Sequence, residues 1–269
     1  MITYLKNKVQ GLSLMINIST DLQDFSRIIL FRFRLIKPPA TLRFLFNKKP
    51  ILFYIDSYAQ FRNILGLLNE FQNEYKKLNV KGMNVVDIGA NIGDTAIGFS
   101  ALGAKHVYAF EPYPYSFALA CKNIEINHMN GKITLLNEGC GRQRIVTINP
   151  YYISGIGDDL KESKTGIKIK IISLNEIVKK YNLRNAVMKI DCEGAEYEII
   201  EEATQKTLSN FNHIIIEYHY GLQNILKKLR QVGFKVTNTE PRGSYVLTAT
   251  NPHMQIGIIN AERTNAKPF

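Results

Sequence analysis

The sequence predicts an α/β fold built on a mostly parallel sheet. Two observations predict it. From Asn84 onward, short apolar runs of strand length alternate with helix-length segments to the end of the chain, the signature of βαβ units. The first of these runs, Asn84-Val-Val-Asp-Ile88, leads straight into a glycine-bearing turn and then a helix, the arrangement that opens a ligand crevice in such sheets.

The elements follow in order. Asp94 to Leu102 reads as a helix with small residues on one face, His106 to Phe110 as a strand, and Pro114 to Asn127 as a helix with Phe117, Cys121, Ile124 and His128 at helical spacing. Ile133 to Leu136 is the third strand. After a helix at Leu174–Tyr181 come a strand at Ala186–Ile190, a helix at Glu196–Ala203, a strand at His213–Tyr218 and a helix at Leu222–Val232. Phe234 to Thr237 and Ser244 to Ala249 close the series, joined too tightly for a helical crossover and therefore expected to pair antiparallel. An excursion near 138–172 breaks the alternation. It is turn-rich and ends in the alternating Ile167-Lys-Ile-Lys-Ile171, consistent with either a substrate loop or a surface hairpin.

Residues 1–82 lack this alternation. Phe25 to Ile36 mixes apolar and basic residues and reads as an element packing on the main domain, with Pro38-Pro39 ending it; a membrane-surface helix is the alternative. Phe61 to Leu78 reads as an amphipathic helix. The division expected is a basic extension over 1–82, packing on or capping a domain over 83–269.

With 269 residues, 45% apolar and 21% charged, the chain is of ordinary globular composition, and collagen-like, mucin-like or disordered classes are excluded. The net charge of +11 raises nucleic acid, an anionic membrane or an acidic substrate as partners. Its placement argues against a chemical role, since residues 1–82 carry 13 basic and 5 acidic side chains and residues 83–269 carry 21 and 18. Three scattered cysteines, Cys121, Cys140 and Cys192, form no C-x-x-C pair, so neither a disulfide framework nor a thiolate zinc site is expected. A reduced, cytoplasmic setting without a signal peptide or spanning helix follows, with peripheral membrane contact through the basic segment as a secondary possibility.

The cofactor signal is Val85-Val-Asp87-Ile-Gly89-Ala-Asn91-Ile-Gly93. Glycines there let the backbone turn sharply and approach a ligand, and Asp87 is placed to orient the turn or reach a ligand ammonium. Glu111 ends the next strand 18 residues past Gly93, where a carboxylate can accept both hydroxyls of a ribose. The dinucleotide pattern G-x-G-x-x-G is absent, and Asp87 and Asp94 flank the turn. Pyrophosphate favours a helix start without nearby carboxylates. A cationic cofactor without phosphate, S-adenosylmethionine, therefore fits better than NAD. Glu138 and Gly139, after the third strand, are candidates for the adenine wall.

These blocks, with Phe110-Glu111-Pro112, Lys189-Ile-Asp191-Cys-Glu193-Gly194-Ala-Glu196 and Ile-Glu217-Tyr-His219, resemble the FkbM family of S-adenosylmethionine-dependent methyltransferases over roughly Asn84 to Ala249. The resemblance implies a class I, Rossmann-like methyltransferase fold, with a mostly parallel seven-stranded sheet and an antiparallel last strand. It also implies methyl transfer, usually to oxygen, on small molecules or saccharides. Cys192 stands where valine is usual.

The candidate active centre follows from the strand ends. Asp191 and Glu193 follow the fourth strand, Glu217 and His219 the fifth, and adjacent strands bring these ends together. Methyl transfer needs an aligned acceptor whose hydroxyl proton is removed. His219 is the leading base candidate and Asp191 the leading orienting residue, with Glu193 and Glu217 beside them. The same cluster could hold a divalent metal. That reading weighs less, because carboxylates at a helix start also serve its dipole. Glu196, Glu198, Glu201 and Glu202 are expected to form a solvated helix face. The expected acceptor is a small molecule or saccharide; RNA methylation, or a non-catalytic nucleoside-binding or membrane-surface module, are the less favoured alternatives.

Overall fold

A computed structural model describes residues 15–150, 162–241 and 255–263. The expected strand–helix series forms a seven-stranded sheet from β3 (Asn84–Ile88), β4 (His106–Phe110), β5 (Ile133–Leu136), β9 (Ala186–Ile190), β10 (Phe211–Tyr218), β11 (Phe234–Asn238) and β12 (Gly257–Arg263). Its spatial order is β11-β12-β10-β9-β3-β4-β5. β12 runs antiparallel to both neighbours, while the β10–β9, β9–β3, β3–β4 and β4–β5 pairs are parallel. This is the class I methyltransferase topology. The antiparallel partner of β11 is Gly257–Arg263 rather than the expected Ser244–Ala249, which lies outside the described residues.

The strands are buried on both faces, and their side chains alternate between two cores, as a period of two requires. Val85, Val107, Ala109 and Ile215 point into one core; Val86, Phe110, Ile214 and Ile216 point into the other. The second core is closed by α5 (Leu174–Lys180), α6 (Glu196–Glu202), α7 (Gln205–Leu208) and α8 (Gln223–Gln231). The first is closed by α3 (Asp94–Ala101) and α4 (Pro114–Ile126) and by the N-terminal elements.

Those N-terminal elements are α1 (Leu22–Arg32), a hairpin of β1 (Ala40–Phe46) and β2 (Lys49–Ile55), and α2 (Tyr58–Asn73). The hairpin turns on Asn47 and Lys48, both at positive φ, the conformation a tight two-residue hairpin needs. It aligns Leu42, Phe44 and Phe46 with Ile51, Phe53 and Ile55 on one buried face. The free edge of β2 is paired by asparagines of the α4 region. Leu52 N donates to Asn127 Oδ1 at 2.9 Å and Tyr54 N to Asn123 Oδ1 at 2.8 Å. Asn123 also donates to Ile92 O at 3.0 Å, inside the cofactor turn. α2 packs Phe71 against Phe46, Tyr75 and Phe99. Every residue of α3 is buried, and a Cβ on its Gly98 would lie 2.4 Å from the Phe71 ring, so glycine makes the seam possible.

The excursion after β5 is a small three-stranded sheet of β6 (Gly139–Cys140), β7 (Arg144–Ile148) and β8 (Ile167–Ile172), in the order β6-β8-β7. Among the described residues no helix is long and apolar enough to cross a membrane.

Phe71 joins the N-terminal elements to the core, touching Phe46 and Tyr75 on their side and Phe99 and Gly98 of α3 on the other. Truncating it leaves a cavity at that seam, so Phe71→Ala is expected to lower stability by about 3–5 kcal/mol, read as a shift in the urea midpoint at unchanged slope.

Candidate active site

The strand order reverses at β3, with β4 and β5 on one side and β9 and β10 on the other. Ligands of open α/β sheets bind beyond the carboxyl ends of the strands at such a point. Here lies a cleft walled by Gly89, Asn91, Glu111, Asp191 and Glu193 from the main sheet. Pro112, Tyr113, Gly139, Cys140, Arg144 and Ile171 close one side, Glu198 of α6 stands at the wall, and Asn63 of α2 reaches it from the N-terminal elements.

The turn after β3 is held from two sides. Gly89 N and Ala90 N both donate to Phe110 O at 3.0 Å. Gly89 has φ +81°, and a Cβ there would lie 1.8 Å from Asp191 O; only glycine brings β3 and β9 this close. Gly93 (φ +84°) starts α3 in the left-handed region, packed on Ala120. Glu111, 5% exposed, accepts from Asn91 N and Tyr113 N, both at 2.9 Å. Burial raises its pKa to about 7 against the lowering effect of those two amides.

Lys189 lies beneath the turn, 2% exposed. Its ammonium donates to Gly89 O at 2.7 Å and pairs with Asp87 Oδ1 at 3.3 Å and Asp191 Oδ2 at 3.8 Å. Asp87 also accepts from Thr95 Oγ1 at 2.6 Å.

Of the residues singled out in the sequence, Gly89, Asn91, Glu111, Gly139, Asp191 and Glu193 line the cleft. Three cofactor candidates do not. Asp87 is fully buried on Lys189 and Thr95, so it orients the turn and does not reach a ligand. Gly93 serves as the start of α3. Glu138 lies outside the cleft wall, 3.9 Å from Lys170 Nζ. Glu217 is set back, its side chain 20% exposed, and His219 is fully buried.

His219 is the main correction. Its Nδ1 is 2.9 Å from Glu196 Oε1 and its Nε2 is 3.1 Å from Glu193 Oε2. Burial works to lower its pKa, but the two carboxylates prevail and raise it to about 11. The ring is fully buried and lies behind the cleft wall, so it does not meet an acceptor proton directly. The expected solvated face of α6 holds for Glu201 and Glu202, which are exposed, and is corrected at the other two positions. Glu196 is fully buried, accepting from Gly194 N, His219 N and the imidazole, and Glu198 lines the cleft, bound to Arg144 at 2.9 Å. Sequence reasoning also passed over Lys189. The signal was a lysine inside an otherwise apolar strand, which has to find partners when buried.

The cleft suits S-adenosylmethionine. The buried Glu111 carboxyl has both oxygens pre-oriented by backbone amides, and Asp191 and Glu193 line the same cleft, a wall that favours a sulfonium and an ammonium over a pyrophosphate. Together, the sheet order and this site define a class I S-adenosylmethionine-dependent methyltransferase.

Comparison with known proteins agrees. The methyltransferase FkbM domain model matches residues 87–236, more than half of the chain. The chain belongs to the FkbM methyltransferase family. A stretch of 55 residues is 40% identical to ribosomal protein L11 methyltransferase of Carboxydothermus hydrogenoformans, covering 20% of this chain and 18% of that protein. Ribosomal protein L11 methylase of Lactobacillus delbrueckii is 19% identical over 70% of this chain and 74% of its own, with a TM-score of 0.41. TYW2 of M. jannaschii, solved in complex with AdoMet, is 15% identical over 85% and 89%, with a TM-score of 0.45.

Removing the buried ammonium would leave Asp87 without its counter-charge. Lys189→Met is expected to cost about 3–5 kcal/mol of stability, measured by denaturant titration, and to weaken S-adenosylmethionine binding in calorimetry.

Proposed function

We propose that this methyltransferase acts on a hydroxyl oxygen of a small, neutral, polyhydroxylated acceptor such as a saccharide. The observation that carries this reading is the charge of the cleft wall. Asp191, Glu193 and Glu198 face the space beyond the cofactor turn; of the cations beside them, Arg144 is paired to Glu198 and Lys189 is buried beneath the turn. Carboxylates accept hydrogen bonds from hydroxyls, whereas the phosphates of a nucleic acid would meet like charge.

In this reading Glu111 accepts the two ribose hydroxyls, and Gly89, Asn91 and Gly139 allow the cofactor to lie close to the backbone. Asp191 and Glu193 hold the acceptor in line with the methyl group. Bound there, S-adenosylmethionine would supply the methyl group from its sulfonium, and a carboxylate of the wall or water would take the acceptor's hydroxyl proton. Residues 1–82 act as an extension that closes one side of the cleft, supported by Asn63 in its wall.

The test is transfer from labelled S-adenosylmethionine to a panel of sugars, glycosides and RNA, with products identified by mass. Gain of one methyl group on a neutral polyol supports the reading; transfer to RNA alone overturns it.

The acidity of Glu111 gives a second prediction. Its ordinary carboxyl pKa of 4.5 rises to about 7 in the free protein, while hydroxyl donors require the ionised form. Affinity for S-adenosylmethionine is therefore expected to be full above pH 7 and to fall by about tenfold per pH unit below it. Calorimetry from about pH 5.5 to about pH 8, spanning that pKa, checks this. Glu111→Gln should bind weakly and lose that slope; a slope unchanged in the variant would assign it to another group.

A further inference from the structure

We propose that Asp191, Glu217 and His219 form a site for a divalent cation of the manganese type, at the acceptor end of the cleft. The proposal deepens the methyltransferase reading above and rests on it for its purpose.

The placement comes from the sheet. Asp191 follows β9, and Glu217 and His219 sit at the end of the parallel neighbour β10, two residues apart and so on one face. One donor atom from each, the two carboxylate oxygens and an imidazole nitrogen, all lie within 4.8 Å of one another. An ion with bonds of about 2.1–2.5 Å can reach all three.

The second observation is the state of His219. Its Nδ1 lies 2.9 Å from Glu196 Oε1. Glu196 is itself fully buried and held by Gly194 N and His219 N at 2.8 and 3.1 Å. A carboxylate locked in this way fixes Nδ1 as the donor and turns Nε2 toward the cluster, as the outer partner of a metal-bound histidine does. Nε2 is completely buried and makes no hydrogen bond. Glu193 Oε2 lies 3.1 Å and Glu217 Oε1 3.7 Å from it, near enough for one cation to be shared between the nitrogen and a carboxylate. A cation satisfies the nitrogen and relieves the crowding of carboxylates together. One imidazole with two carboxylates combines borderline and hard donors, the set manganese accepts. Asp191 and Glu193 open onto the cleft, so an acceptor hydroxyl has a path to the ion, which would make that hydroxyl more acidic.

The test titrates Mn²⁺ into the purified full chain, followed by electron paramagnetic resonance, with S-adenosylmethionine calorimetry on the same sample. One tightly bound Mn²⁺ per chain is expected. His219→Gln and Glu217→Gln should each weaken it by at least about tenfold while still binding S-adenosylmethionine. If His219→Gln does not fold, Glu217→Gln decides. Wild-type protein that binds S-adenosylmethionine but no Mn²⁺ at millimolar concentration overturns the metal site and leaves the methyltransferase reading standing. Mn²⁺ binding unchanged in a folded variant overturns it too. Failure to bind S-adenosylmethionine counts against the cofactor reading alone.

Discussion

The ammonium of Lys189, shut away from water where two parallel strands end, is the interaction on which the site depends. It bridges Asp87 of β3, the carbonyl of Gly89 in the turn and Asp191 after β9. A buried charge is costly unless its partners are fixed, and here those partners are the chain segments that must meet to form the cleft. Gly89 completes the arrangement, since any side chain there would strike the Asp191 carbonyl. The cofactor turn and the candidate acceptor carboxylate are thus one electrostatic unit.

The N-terminal elements bear on the same unit from outside. Asn123 ties the β2 edge to Ile92 in the turn, and Phe71 presses on α3 through the gap at Gly98. α3 begins at Gly93, directly after the turn. Packing by the N-terminal elements therefore bears on how firmly the turn is held.

Around the acceptor end the balance of charge is opposite to that of the whole chain. Asp191, Glu193 and Glu217 gather near one buried histidine and Glu198 stands at the cleft wall; their demand for positive charge is met from inside by Lys189, at the wall by Arg144, and at His219 by a proton or, as proposed, a metal.

Much of this was legible in the sequence because it is local. Runs of alternating or continuous apolar residues reveal strands, Gly89 and Gly93 mark a turn that other residues would strain, and Glu111 stands at a spacing set by one βαβ unit. The hairpin at Ala40–Ile55 was not legible, because its turn uses Asn47 and Lys48 without a glycine. The last strand was misplaced, because pairing with β11 is settled by which distant segment reaches the sheet. Only the tertiary structure decided which carboxylates face solvent. Glu196 and Glu198 sit on a helix that looks charged all round, yet one is sealed against His219 and the other lines the cleft. Asp87 and Glu111 likewise stand at equivalent strand ends, and packing made one a support beneath the turn and the other a wall of the cleft. Sequence determines backbone geometry where a few neighbouring residues suffice to set it; the charge state and exposure of a side chain depend on contacts from segments far along the chain.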